Sequence, residues 1–305
     1  MAAVRDRERQ HARADRLRAA AEQYRATQQQ LRTIHSQGRA PANIIIRRSL
    51  LHRRDAGGPS AAAQLITPRG LGLSLYLTAL FDAQSRRPPG ALIRNLRPLL
   101  PTGNDVGWTE LILAVATGSH PDDGALRQLH RALTALERVR LVELRRRGAP
   151  GRYEHFKLLE ESGGGARGRT GYVIPSRGTA ARGTLLEVPA AFFLNGWANI
   201  LLPAETLVYL IVADLQIRHG TDTVFIADST KELYSISRDV YEHHRALTAY
   251  GLLHRLDNPH RGPDGRILHR PDFEQRPHPH HFQLVPRALE ANALKTISTA
   301  LSCGW

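Results

Sequence analysis

The side chains with chemical capacity in this chain are concentrated near its end. His278-Pro-His-His281 sets three imidazoles within four residues, downstream of His254, His260 and His269. A His–apolar–His pair on a strand can hold a divalent metal beside a tyrosine nucleophile. Here Pro279 opposes a central strand, and the last tyrosine is Tyr250, so no downstream nucleophile follows. Zinc held by His254, His260, His269 and this cluster is the competing reading. The simpler one makes them surface histidines open to protonation. Asp122-Asp123 and Glu160-Glu161 are adjacent and point different ways, which makes them poor acid–base dyads. No Ser/His/Asp arrangement stands out by spacing. Gly163-Gly-Gly-Ala-Arg lacks the Lys-Ser/Thr ending of a phosphate loop. The lone Cys303 excludes an intramolecular disulfide framework and Cys-based zinc fingers. The expectation is a protein without catalytic residues, cofactor or metal.

What remains is charge. The 305 residues carry a formal net charge of +14, and 42% are hydrophobic, enough for real cores. Almost all of the base is arginine, the only lysines being Lys157, Lys231 and Lys295. Genomic GC bias alone can produce that preference, so it is weak evidence for guanidinium-specific recognition. The excess favours polyanionic partners, nucleic acid first and an anionic membrane surface second. No apolar run approaches a membrane span. The first thirty residues lack an apolar core and mix acids with arginines, unlike a signal or transit peptide. A cytoplasmic, nucleoid-associated location is expected, and the length suggests two domains.

The elements that must position this charge follow from periodicity. Residues 2–37 read as one polar helix. Leu17, Ala21, Tyr24, Gln28, Leu31 and His35 form a weak coiled-coil seam. Its eight arginines against four acids over residues 4–32 also suit a DNA-backbone arm, and a merely solvated helix fits equally. A loop over 53–64 closes this N-terminal segment, 1–64. Leu71 to Phe81 then reads as a buried helix, followed by Pro/Gly-rich connections to Gly107 and a helix over 108–117. Ser119-His-Pro-Asp-Asp opens another helix, striped by Leu126, Leu129, Leu133 and Leu136. Strands over 141–144 and 155–159 flank a basic turn, Arg145 to Arg152. Helix, strand, basic turn, strand outlines a winged helix-turn-helix over 65–161. Residues 162–183 read as a Gly/Arg-rich linker. The second half, 184–286, repeats the pattern: a helix over 207–217, a short strand over 223–226 and a helix over 228–234. A helix capped by Ser237 and ended by Gly251 follows, then strands over 252–256 and 281–285. A C-terminal helix within 287–305 has Leu294, Ile297 and Leu301 on one face.

The repeat is literal at one place. His130-Arg-Ala-Leu-Thr-Ala135 recurs as His244-Arg-Ala-Leu-Thr-Ala249. Leu75-Tyr-Leu77 also matches Val208-Tyr-Leu210. Two tandem winged-helix modules are therefore expected, in a mainly α fold with small β-hairpins (α+β). Projecting the offset puts Leu126, Leu129, Leu133 and Leu136 against Val240, His243, Leu247 and Tyr250 as the buried face. Arg127, Gln128, Arg131 and Arg138 point outward, with Tyr241, Glu242, Arg245 and Leu252 as their counterparts. Arg127 and Arg131 suit guanine and Gln128 suits adenine, whereas Glu242 either accepts from cytosine or pairs with arginine. The predicted base readers are thus Arg127, Gln128, Arg131, Tyr241, Glu242 and Arg245. Arg145, Arg146, Arg147 and Arg152 on one hairpin, and Arg255, Arg261, Arg266 and Arg270 on the other, are the predicted backbone contacts.

Leu65-Ile-Thr-Pro-Arg-Gly70 and Val188-Pro-Ala-Ala-Phe-Phe-Leu-Asn-Gly-Trp197, each leading into the first helix of a module, resemble phrases in uncharacterised tandem winged-helix proteins of high-GC actinobacteria. That resemblance covers roughly residues 65–286. It implies the fold but no defined activity. The architecture is also similar to that of plasmid replication initiators. The expected function is sequence-specific binding of double-stranded DNA by a transcriptional regulator, one chain reading two adjacent half-sites. A replication initiator or partition protein of a mobile element is the alternative, and a protein-interaction scaffold that does not touch DNA is the third. A homodimer through the N-terminal or C-terminal helix is a further expectation.

Overall fold

A computed structural model describes residues 2–53, 58–67, 70–113, 121–162, 170–176, 178, 183–256 and 280–304. The fold is α+β, helices with small antiparallel sheets. In chain order the elements begin with α1 (Ala2–Ala19), α2 (Ala21–Gln37), β1 (Asn43–Arg47), α3 (Ala61–Gln64) and α4 (Gly72–Arg86). Then come α5 (Trp108–Leu111), α6 (Pro121–Arg138), β2 (Val142–Glu143), β3 (Lys157–Leu158) and β4 (Leu185–Pro189). The second half holds α7 (Ala191–Leu194), α8 (Trp197–Ile200), α9 (Pro203–His219), β5 (Val224–Phe225) and α10 (Asp228–Tyr234). It ends with α11 (Arg238–Tyr241), α12 (His244–Ala249), β6 (Leu253–Arg255), β7 (His281–Leu284) and α13 (Ala293–Cys303). Among the described residues no helix is long and apolar enough to cross a membrane.

Two helices are apolar on all sides and lie at the centre, as such helices must. These are α4, with 13 of its 15 residues buried, and α9. The buried apolar side chains form one continuous cluster from Ala14 to Leu301, so the two halves share a core. Acids caught inside it are clamped by arginines, several from distant parts of the chain, because an unpaired buried charge costs several kcal/mol. Glu205 of α9 receives both Nη atoms of Arg13 from α1, at 2.6 and 2.8 Å. Asp214 of α9 receives Arg48, the Tyr234 hydroxyl and His52 Nε2, the last at 2.9 Å. Burial pushes the Asp214 carboxyl up, but the donors His52, Arg48 and Tyr234 outweigh it and hold the carboxyl below its ordinary value.

The N-terminal stripe turns inward. Leu17, Tyr24, Gln28 and Leu31 are buried, with α1 on α13 and α2 on α4, α5 and α7. Tyr24 donates to the Asn195 carbonyl at 2.9 Å. Gly196 makes room for it, since a Cβ there would lie 2.0 Å from the hydroxyl oxygen. The seam read as a self-association surface thus covers the chain's own core, as do Ile297 and Leu301 of α13.

Two strands of the fold had no counterpart in the sequence reading. β1 pairs antiparallel with β4, from Asn43↔Pro189 to Arg47↔Leu185, and ties the N-terminal segment to the second half. Residues 170–176, placed in the expected linker, instead enter the first half's sheet. Tyr172 N–H donates to Leu158 O and Ile93 N–H to Tyr172 O, and Tyr172 and Ile174 are buried. The Gly163 loop and residues 177 and 179–182 lie outside the described residues.

Candidate nucleic-acid interface

The amphipathic face of α6 stands as its spacing predicts. Leu129, Leu133 and Leu136 are buried and Leu126 is half-buried, while Arg127, Arg131 and Arg138 are exposed and Gln128 is half-buried. Arg127 Nε donates to the Asp123 carbonyl one turn earlier, at 3.2 Å. The turn that closes the helix ends on Arg140, whose φ of +60° is a left-handed conformation. Its exposed side chain adds a base that periodicity alone did not single out. β2 and β3 then pair through Val142↔Leu158 and Glu143↔Lys157. Arg145, Arg146 and Arg147 stand exposed at the tip.

Arg152 differs from its three neighbours. Its guanidinium folds back onto α6, ion-paired to Glu137, and donates to the Arg145 carbonyl at 2.6 Å. Beside it, Tyr153 stacks on His130 with ring centroids 4.0 Å apart. Burial lowers the His130 pKa, opposed by the charge of Glu154.

In the second half, Ser237 caps as expected, its Oγ accepting from Val240 N–H. The expected single helix is broken into α11 and α12 around Glu242 and His243. Leu247 and Tyr250 are buried, and Val240 and His243 half-buried. The outward set is committed to its own neighbours. Arg245 pairs with Glu242 at 2.9 Å, and Arg238 approaches the same carboxylate at 3.8 Å. The Tyr241 ring lies 4.9 Å from Lys231 Nζ and packs edge-on to Phe282. Arg255 sits half-buried on β6, and Arg261, Arg266 and Arg270 lie outside the described residues.

The projected pairing of Arg138 with Leu252 is corrected, because Leu252 is fully buried. After the shared hexapeptide, α6 continues about a turn further than α12. The two helix ends therefore correspond as Arg140 and Gly251, both with positive φ. Leu141 N–H donates to Leu136 O at 2.9 Å, and Leu252 N–H to Leu247 O at 2.9 Å. Leu252 thus matches the buried Leu141, the first residue after the turn.

His244 is buried among Tyr241, His280 and Phe282, with ring centroids 4.7, 5.9 and 5.0 Å away. Its Nδ1 meets the Tyr241 carbonyl at 2.8 Å, and its buried Nε2 has no hydrogen-bond partner among the described residues. Burial pulls its pKa down to about 4, helped by the charges of Arg245, Arg255 and His243. Among the described residues no group of three or more His, Cys, Asp or Glu side chains is placed to hold a metal. His260, His269 and His278 lie outside them. No protein-family model, curated protein or solved structure matches the chain.

Proposed function

We propose that the chain is a sequence-specific double-stranded DNA-binding protein, acting as a transcriptional regulator through two winged-helix modules. The observation that carries this reading is the unneutralised arginine face of the first half. Among the described residues, none of Arg127, Arg131, Arg138, Arg140, Arg145, Arg146 and Arg147 is ion-paired to a carboxylate. Arg13, Arg47, Arg48, Arg86, Arg97 and Arg152 are paired, while Arg16, Arg25, Arg39, Arg87, Arg94 and Arg218 are exposed and also without an ion pair among the described residues, so what sets the seven apart is their placement on one helix and the hairpin that follows it. Leaving seven guanidinium groups together without acids offers nothing to stability and suits a row of phosphates.

The order of elements supports the module reading. In the second half α9, β5, α10, α11–α12, β6 and β7 succeed one another, with the strands hydrogen-bonded in the order β5-β7-β6. In the first half α4, α5, α6, β2 and β3 do so, with a helix preceding a basic hairpin in each. An α-helix fits the major groove. Arg127, Gln128 and Arg131 of α6 are the base readers in this reading, and Arg145, Arg146 and Arg147 flank them on the backbone. The second half offers a weaker reader, because Arg245 and Glu242 satisfy each other. No role in this reading requires a catalytic group or a cofactor.

Salt-titrated binding of the full chain to a labelled random-sequence duplex tests the proposal. About six phosphate contacts give a log–log slope of roughly −5. A slope near zero rules out DNA binding and leaves a protein-interaction scaffold. Mapping bound sites on the genome then separates a regulator at promoters from an initiator at iterated origin repeats.

A further inference from the structure

We infer that Arg152 does not contact phosphate but, together with Glu137 and Tyr153, positions the Arg145–Arg147 tip against α6; this rests on the DNA-binding reading above. The hairpin is short, with two paired residues on each strand, and its tip carries Gly148 and Gly151 at positive φ. A ladder of that length does not hold a tip at a fixed angle by itself. Contacts from the returning arm, made by Arg152 and Tyr153, do. Arg152 pairs with Glu137 on α6, and its other Nη donates to the Arg145 carbonyl across the hairpin at 2.6 Å. The Arg145 N–H answers by donating to the Arg152 carbonyl at 3.3 Å. Tyr153 lies flat on His130, 15° from parallel, with its hydroxyl 3.3 Å from Thr134 Oγ1. The Arg152 guanidinium lies over the Tyr153 ring, 5.7 Å from its centroid. Glu137, Thr134 and His130 follow one another along α6 at spacings of three and four, one face of the helix. That face holds the hairpin while Arg127 and Arg131 remain on the surface.

The positioning role and a direct phosphate role differ in sign at Glu137. Glu137→Gln removes a negative charge beside the arginine face, so electrostatics alone predicts equal or tighter DNA binding. Positioning predicts weaker binding, by about fivefold, because the tip must be ordered on binding, with the salt slope unchanged because Arg145, Arg146 and Arg147 still reach phosphate in the complex. Arg152→Ala should weaken binding similarly, also at constant slope, and the Glu137→Gln/Arg152→Ala double variant should be little worse than either single one. Tyr153→Phe, which keeps the ring, should bind like the wild type, whereas Tyr153→Ala should not. Amide exchange at Arg145 reads the clamp without DNA and should quicken in Glu137→Gln. The experiment measures anisotropy of the labelled random duplex over a salt series, with exchange at Arg145 in the same proteins. Wild-type failure to bind would sink the DNA reading before any variant is compared. Given wild-type binding, any of three results overturns the positioning role. These are equal or tighter binding by Glu137→Gln, a slope shallower by about 0.9 in Arg152→Ala, and unchanged Arg145 exchange in Glu137→Gln.

Discussion

The same six residues, His-Arg-Ala-Leu-Thr-Ala, sit in both halves of this molecule, and each copy meets a different neighbourhood. What the helix itself determines is the same in both. Arg131 and Arg245 are exposed, Ala132, Leu133, Ala246 and Leu247 are buried, and each threonine hydroxyl donates to the carbonyl four residues earlier, at 2.9 and 3.0 Å. What the neighbours determine differs. His130 stacks half-exposed on the hairpin tyrosine, whereas His244 is sealed among Tyr241, His280 and Phe282. Arg131 has no carboxylate partner among the described residues, whereas Arg245 has Glu242. A local repeat therefore fixes which residues face outward, and the residues packed around it decide whether they remain available to a partner.

The largest expected contrast is between the two histidines. His244→Ala opens a cavity in a packed aromatic nest and should cost about 3 kcal/mol in urea unfolding, against less than about 1 kcal/mol for His130→Ala. Acid should separate them as well. The His244 pKa falls from 6.5 in the unfolded chain to about 4 in the fold, so the unfolded chain takes up the proton first as pH drops. Its contribution is complete above pH 6.5 and is lost as pH falls to about 4, a total of about 3 kcal/mol. His244→Phe should remove that part of the pH dependence. An unchanged slope between wild type and variant would show that His244 is not held neutral.

The next contrast concerns the two arginines. Arg131→Ala should cost about 1–3 kcal/mol on a specific site and relax its base preference, while Arg245→Ala should cost less than about 0.5 kcal/mol. Equal losses in competitive binding assays would erase the distinction between an open face and a self-neutralised one. The smallest contrast lies at the helix ends. Gly251→Ala forces a side chain into a left-handed conformation and should destabilise by about 1 kcal/mol, whereas Arg140→Gly should stabilise by a similar amount. A loss of stability in Arg140→Gly would contradict the matching of these two positions.

Much of this was legible beforehand, and the exceptions share a cause. The leucine stripe of α6, the Ser237 cap, the central helices and the hairpins all follow from spacing within about a dozen residues. The strand at Ile44–Ile46 carried a signal in its β-branched run, but its partner lies in Leu185–Pro189. The N-terminal stripe was visible as apolar spacing, yet the spacing was equally suited to a second chain or to this one. Residues 170–176 resembled a linker because glycine, threonine and arginine surround Tyr172, whose burial depends on Gln84 and the extended segment at 91–93. Arg152 resembled its neighbours in the basic turn, and only the position of Glu137 sets it apart.

The sequence by itself determined the periodic faces, the positive charge and the repetition of one helix, since these depend on dihedral preference and neighbours along the chain. Tertiary structure alone decided which arginines remain available. An ion pair forms between groups brought within about 4 Å, whatever their separation in sequence. Arg13 finds Glu205 and Arg48 finds Asp214 across more than half of the chain, and Arg152 finds Glu137, while Arg127, Arg131, Arg138, Arg140 and Arg145 to Arg147 meet no such acid among the described residues.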